Sequence, residues 1–499
     1  MPLSIVDVPH DILLLICVKL SPENVLSFAQ TCRGVHAIAD SEYVWRHLNY
    51  CIPLDISAVN GHDIKNVPGS TIKSSVLDAL RLDKNWRRED SKIARIRKID
   101  IGHSVLQMIP LGHQWLATMA KTDRTRDLRP LYQISVWRLR DAHGSRHLQV
   151  ATFDTVLSCQ FAASLQDSGN TILLAFGNAR TDIHLGSCLE VYELDVRPCS
   201  NDNFLSFSPS IIRQWHIYWR STIYRVFISG TIVSALFLNL DSFTVATPFL
   251  MHHAVILNSK TNATEVMELG HTGFAIHKLD IQWPCLVTTG LHNTHSIVVR
   301  VLPPGIRATT IQSHQKIISL EKIRPFTFQS SDLVFDCQMG LPGDHQRMSE
   351  GDKQGSPRSL TEVYVTTSPH PELPGKATVF RLPLDVYERN IMLTNVAPQY
   401  TFNIPAHSTW AAACIGRTGY RAIWLEKTTF GAADGSIQLM KGTFPYSTSS
   451  EEQSLVVRLA RVDYPYPFEF GAIRDLELQE AAGRVFISLY TGHIYAFEF

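Results

Sequence analysis

Twenty-one histidines and nine cysteines are the side chains of this 499-residue sequence best suited to chemistry, through metal ligation or nucleophilic attack. Their spacing along the chain argues against both. The cysteines (Cys17, Cys32, Cys51, Cys159, Cys188, Cys199, Cys285, Cys337 and Cys414) are odd in number and never form Cys-x-x-Cys. Most lie in apolar runs, where a free thiol acts as a small hydrophobe. The pattern predicts a reducing compartment, no disulfide framework and no zinc site. His252 and His253 adjoin on a strand-like run and would point to opposite faces. His292 and His295 are close, but no thiolate or carboxylate stands nearby to complete a ligand set. Asp332, Asp336, Asp344 and Asp352 lack calcium-loop spacing and read as a solvated loop. Ser356-Pro357 offers a candidate phosphorylation dipeptide of a very common kind. No nucleophile elbow, His-Glu-x-x-His, phosphate loop or dinucleotide fingerprint occurs. The sequence therefore predicts no catalytic, cofactor or metal residues, and a protein that is not an enzyme.

Composition bounds what could position such residues. Hydrophobic residues make up 45% and charged residues 18%, while 46 Lys plus Arg balance 46 Asp plus Glu. That excludes wholesale disorder, a collagen-like chain and a disulfide scaffold. Zero net charge gives no whole-protein electrostatic grip on nucleic acid or an anionic membrane. The longest membrane candidate, Ile12–Val18, is far shorter than the ~20 residues a spanning helix needs. Asp7, His10 and Asp11 before it do not make a secretory lead-in. A soluble protein of the cytoplasm or nucleus is expected, with no nucleic-acid or membrane partner.

Two periodicities divide the chain. From Pro9 to Leu20, apolar residues at Ile12, Leu13, Ile16 and Leu20 follow helical spacing. Ser21-Pro22 restarts a helix, the serine as cap and the proline at the first helical position. Leu20 and Val25 are placed for a hydrophobic staple. Val25, Leu26, Phe28, Ala29 and Cys32 form the second apolar face, and a third segment runs from Val35 through Ile38 to Trp45 and Leu48. Three short helices cannot hide so many apolar side chains. The excess either packs on the rest of the chain or docks helices of another protein.

The stretch from Ile5 to Leu48 closely resembles an F-box. Val8-Pro9-His10-Asp11 stands for the opening Leu-Pro and acidic residue, followed by the Leu-Ser-Pro break, Thr31-Cys32-Arg33 and Trp45-Arg46-x-Leu48. It departs at Gly34-Val35-His36, where many members carry a bulky aromatic. The resemblance implies binding of a Skp-type adaptor that leads to a cullin–RING ubiquitin ligase. It also implies adaptor contact by Val8, Pro9, Ile12, Leu13, Ile16, Leu20, Leu26 and Cys32.

Residues 52–91 read as a connector with one helix over Ser74–Arg88. Its Leu80-Arg81-Leu82-Asp83-Lys84-Asn85-Trp86 is similar to segments that follow the F-box in many fungal members. Between Arg81 and Lys98, eight basic residues face three acidic ones. Without interleaved aromatics this reads as a solvated helix beside the next domain, not a base-stacking surface.

After Ile93, short strand-like runs alternate with Gly, Asn, Asp and Pro clusters, a pattern of sandwiches, barrels and propellers. Ala472–Phe499 resembles three strands of a WD-type propeller blade, and Ala94–Ile101 is placed to supply its fourth. Strand groups beginning near Ser104, Thr155, Tyr224, Ala275, Lys316, His407 and Phe470 predict seven blades, with six or eight as alternatives. Long insertions fall at Gln338–Leu360 and Thr443–Gln453. Gly-His pairs recur but no Trp-Asp closes a blade, so the WD signature is degenerate; Ile134-Ser-Val-Trp137 is nearest. Trp115, Trp137, Trp283 and Trp424 are expected to pack between blades. The cluster of Trp215, Tyr218, Trp219 and Tyr224 reads as core, with a rim-exposed partner surface as the rival reading.

The expected fold is multidomain. An all-α F-box unit (1–50) and a helical connector (51–91) precede an all-β, seven-bladed propeller (92–499). The expected function is substrate recognition for an SCF-type (Skp–cullin–F-box) ligase, the propeller holding a substrate protein. The rivals are an F-box scaffold outside any ligase and a propeller enzyme.

Overall fold

The computed structural model describes residues 8–48, 52–54, most of 67–301, five strands between 332 and 404, and most of 408–499. Five helices lead: α1 (His10–Lys19), α2 (Pro22–Ala29), α3 (Arg33–Ala39), α4 (Glu42–His47) and α5 (Gly69–Trp86). The Ser21 hydroxyl caps α2 by accepting the Asn24 N–H at 3.3 Å, with Pro22 in the first turn. The third segment expected over residues 35–48 is two helices. The cause is Ser41, whose hydroxyl accepts the Val44 N–H at 3.5 Å and starts α4 anew.

One core unites these helices. Leu13, Cys17, Val25, Ile38, Val44, Trp45 and Leu48 are buried together with Ile72 and Val76 of α5. Leu20, half-buried, packs against the cluster that contains Val25. Asp40 and Lys73 form an ion pair across α3 and α5, and the Lys73 ammonium lies 5.8 Å from the Trp45 ring centroid. The first half of α5 is thus part of the helical unit. Fully burying each such aliphatic contributes about 1.5–3 kcal/mol, and short helices depend on that packing more than on propensity.

The remaining elements are strands. Sheet 1 is β2 (Val105–Leu111), β3 (Trp115–Arg126), β4 (Arg129–Arg138) and β5 (Leu148–Thr155). Sheet 2 is β6 (Ala162–Leu165), β7 (Thr171–Ala179), β8 (Ser187–Asp195) and β9 (Ser210–Trp219). Sheet 3 is β10 (Thr222–Ser229), β11 (Ile232–Asn239), β12 (Leu250–Asn258) and β13 (Ala263–Thr272). Sheet 4 holds β14 (Ala275–Gln282), β15 (Cys285–His292) and β16 (Thr294–Val301). Sheet 5 holds β17 (Asp332–Val334), β18 (Arg358–Thr366), β19 (Gly375–Tyr387), β20 (Asn390–Leu393) and β21 (Pro398–Ile404). Sheet 6 is β22 (Ser408–Ile415), β23 (Arg421–Thr428), β24 (Ile437–Thr443) and β25 (Arg458–Arg461). Sheet 7 runs β26 (Ile473–Gln479), β27 (Arg484–Leu489), β28 (His493–Glu498) and then β1 (Arg95–Asp100).

All pairings between neighbouring strands are antiparallel, and sheets 6, 7, 1, 2, 3 and 4 meet in that order through their first strands. β2 lies against β26 and β6, β10 against β6 and β14, and β22 against β26. Such ordered meanders around their first strands are a β-propeller fold. Sheet 7 takes its fourth strand from the start of the β-rich region, as the sequence suggested: β1 pairs with β28 from Arg95 opposite Glu498 to Asp100 opposite His493. Arg97 and Arg484 both reach Glu498, at 3.0 and 2.9 Å, tying β1 and β27 to the last strand. The pairing covers β28 on its outer side, so that β1 rather than the last strand of the chain is the outer edge of sheet 7.

Some expectations change. α5 begins at Gly69, before the expected Ser74. Sheet 2 starts at Ala162, since Thr155 ends β5. Residues 358–360, expected in an insertion, lie within β18. The rest of that insertion, with Asp344, Asp352 and Ser356-Pro357, lies outside the described residues, as do Trp283 and 445–453.

Candidate adaptor interface

From Ile12 to Val18, α1 is apolar on every side, so its two faces do different work. Leu13 and Cys17, four apart, point into the helical core and are 3% and 0% exposed. Burial pushes the Cys17 thiol up from its ordinary pKa, leaving it inert. Ile12, Leu15 and Ile16 occupy the opposite face and are 46%, 55% and 41% exposed. Exposed Pro9 precedes them in the chain. An aliphatic stripe at i, i+3 and i+4 on a short helix, held rigid from beneath, suits a partner's apolar groove.

The eight residues implied by the F-box resemblance divide accordingly. Pro9, Ile12 and Ile16 are exposed at α1. Val8, Leu20 and Leu26 are half-buried and lean on the helical core. Cys32 is half-buried at the start of α3. Leu13 is corrected to a core residue: its side chain is used by the fold and has almost no surface left. Leu15 was missed. In the run Ile12-Leu-Leu-Leu-Ile16 every position is apolar, and only the placement of Leu13 and Cys17 inward reveals which others face out.

The last turn of α5 is built into the propeller. Trp86, 1% exposed, donates from Nε1 to the Gly442 carbonyl at 3.1 Å and meets Phe499 edge-on at 4.9 Å. Asp83 accepts from Arg87 at 2.7 Å and from the fully buried Arg421 at 3.2 Å. Arg421 also donates to the Glu480 carbonyl at 2.9 Å, while the Glu480 carboxylate accepts the Tyr420 and Arg421 N–H groups. Tyr420, hydrogen-bonded to Arg87, is pushed up to about 12, first by burial and then by Asp83. The basic stretch around α5 is therefore partly neutralised within the fold, Arg87 by Asp83 and Arg97 by Glu498.

Elsewhere, the aromatic cluster splits across a sheet boundary. Trp215 and Trp219 of β9 pack towards sheet 3, whereas Tyr218 on the other face is 56% exposed. The Tyr224 hydroxyl and His252 Nδ1 lie 2.9 Å apart in sheet 3, and burial raises the Tyr224 pKa. Trp115, Trp137 and Trp424 are buried, as packing required.

A family model described as F-box-like matches residues 5–51. Comparison with curated proteins finds no match. Among solved structures, the β-propeller domain of the Trilobed protease from Pyrococcus furiosus aligns at 10% identity and a TM-score of 0.39. That alignment covers 80% of this chain and 94% of the other. The WD40 domain of SCAP from fission yeast aligns at 11% identity and a TM-score of 0.38, covering 81% and 98%. The family match, the helical core and the run of antiparallel sheets agree on one description: residues 5–51 are an F-box-like domain, and a β-propeller fold follows it.

Proposed function

We propose that this chain recruits substrates to an SCF-type ubiquitin ligase. α1 docks a Skp-type adaptor, and the propeller holds a substrate protein. The observation that carries the reading is the stripe of Ile12, Leu15 and Ile16, exposed on an F-box-like domain whose own core is already complete. Covering three half-exposed aliphatics contributes about 3 kcal/mol, a meaningful share of a protein–protein affinity.

The anchoring of α5 supports the second half of the reading. A helix shared by both cores keeps the docked adaptor and the propeller in fixed relation. Substrate lysines are then presented by position alone, which raises their effective concentration. The chain contributes no covalent chemistry, works in the cytoplasm or nucleus, and binds the substrate through its propeller.

Reconstitution tests this. The full chain, a Skp-type adaptor and a cullin–RING core should form one complex that supports ubiquitin transfer. Adaptor binding without cullin recruitment would favour a scaffold outside the ligase.

A further inference from the structure

Twenty-seven residues of chain lie between Cys188 and His216, yet sheet 2 brings the two together. Cys188 and Glu190 are two apart on β8 and share a face, and His216 of β9 stands directly opposite Glu190 in the register. Cys188 Sγ, a Glu190 carboxylate oxygen and a His216 ring nitrogen all lie within 4.8 Å of one another, the one such group among the described residues. The surroundings hold the carboxylate in place. Asn178 Nδ2 donates to Glu190 Oε1 at 2.7 Å, and the Tyr192 hydroxyl donates to Oε2 at 2.8 Å. The Tyr192 ring is fixed against Phe153 and Phe176, with centroids at 4.5 and 5.8 Å, and presents itself edge-on to His216 at 6.1 Å.

We propose that Cys188, Glu190 and His216 form a binding site for a zinc-class divalent cation. Thiolate, imidazole and carboxylate together match a borderline-soft ion, and do not match calcium or magnesium, which take oxygen ligands. Around zinc, tetrahedral bonds put ligand atoms about 3.5 Å apart, so the three groups need close by roughly 1 Å, within reach of side-chain rotation. Glu190 keeps free lone pairs after its two hydrogen bonds. Asn178 and Tyr192 act as positioning residues for the carboxylate. Burial is graded from Cys188, 4% exposed, through half-buried Glu190 to exposed His216, which gives the ion a path from solvent. On binding, the Cys188 S–H releases its proton to water as the sulfur–metal bond forms, and water takes the fourth position. The ion would pin the outermost strand β9 to β8 on the face opposite Trp215 and Trp219.

The test uses the full chain, stripped with chelator and titrated with cobalt(II) alone. One equivalent should bind, with a thiolate-to-cobalt charge-transfer band and the intense visible bands of four-coordinate cobalt. Zinc should bleach both. Cys188→Ser should lose the charge-transfer band, and His216→Ala should weaken binding at least tenfold. Tyr192→Phe should weaken it by about tenfold or more, the range for groups that orient a ligand. His216 is exposed on an outer strand, so its variant keeps the fold, which circular dichroism verifies. A titration without the charge-transfer band, or one unchanged in Cys188→Ser or His216→Ala, would overturn the site.

Discussion

Replacing Asp83 with Ala tests whether α5 is part of the propeller. Asp83 is the only carboxylate paired with Arg421 among the described residues, and the Arg421 side chain has no solvent exposure. Its other anchors are the Glu480 carbonyl at 2.9 Å and the Tyr420 ring, 5.4 Å from the guanidinium to the centroid. Without Asp83 a buried cation keeps one neutral acceptor and an aromatic face. Removing one partner of a buried pair costs about 3–5 kcal/mol. Water reaches Asp83 and Arg87, 13% and 27% exposed, which places this case near 3 kcal/mol. With a urea m value of about 3 kcal/mol per M, the upper part of the usual range, the unfolding midpoint falls by about 1 M. Tryptophan fluorescence is a suitable probe because Trp86 and Trp424 are both buried in this region. Asp78→Ala is the control, since its pair with Arg81 is 68% and 76% exposed and contributes under about 0.5 kcal/mol. Adding Arg421→Met to Asp83→Ala should restore part of the loss, because no unpaired charge remains. If Asp83→Ala shifts the midpoint no more than Asp78→Ala, the reasoning about the α5 anchor is wrong.

Two further outcomes test the same region. Gly483 has φ of 60°, and an added Cβ would meet Leu82 Cδ1 of α5 at 2.2 Å, whereas Gly230, at φ 56°, has open space around it. Thermal melts should therefore show Gly483→Ala losing about 1–3 kcal/mol more than Gly230→Ala, which carries only the ~1–2 kcal/mol backbone strain. Burial lowers the Lys441 pKa from 10.5 to about 8, with its ammonium donating to the Arg88 carbonyl at 2.6 Å. Below pH 8 both folded and unfolded chains carry this proton and the burial penalty stands in full. Between pH 8 and 10.5 the folded chain releases it first, so this group's contribution to stability rises with pH. Lys441→Met should raise the melting temperature at pH 7, and the gain should shrink as pH approaches 10.5.

Much of the architecture was legible because local rules agreed with the global fold. Ser21-Pro22 announced a helix start, and the Gly-punctuated alternation of residues 472–499 announced three strands lacking a fourth. Strand β1 could be assigned to that place by order alone. Other features needed three dimensions. The inward turn of Leu13 and outward turn of Leu15 cannot be read from a run in which all neighbours are apolar. The break at Ser41 was hidden because the apolar spacing continues across it. The connector helix looked solvated from its charges, yet Asp83 and Arg87 are consumed by contacts with residues more than 300 positions away. The grouping of Cys188, Glu190 and His216 depends on the β8–β9 register, which chain spacing does not encode.

The account rests on α1 as a docking surface, and adaptor binding measures that directly. The full chain, Ile12→Asp and Leu15→Asp would each be titrated with a purified Skp-type adaptor by calorimetry, with circular dichroism to verify the fold. Both side chains lie about half in solvent, so neither change disturbs the core. Burying an unpaired carboxylate in an apolar interface should weaken binding at least a hundredfold, about 2.7 kcal/mol or more. Undiminished affinity in both folded variants, or no binding by the unaltered chain, would contradict the assignment of this face to the adaptor.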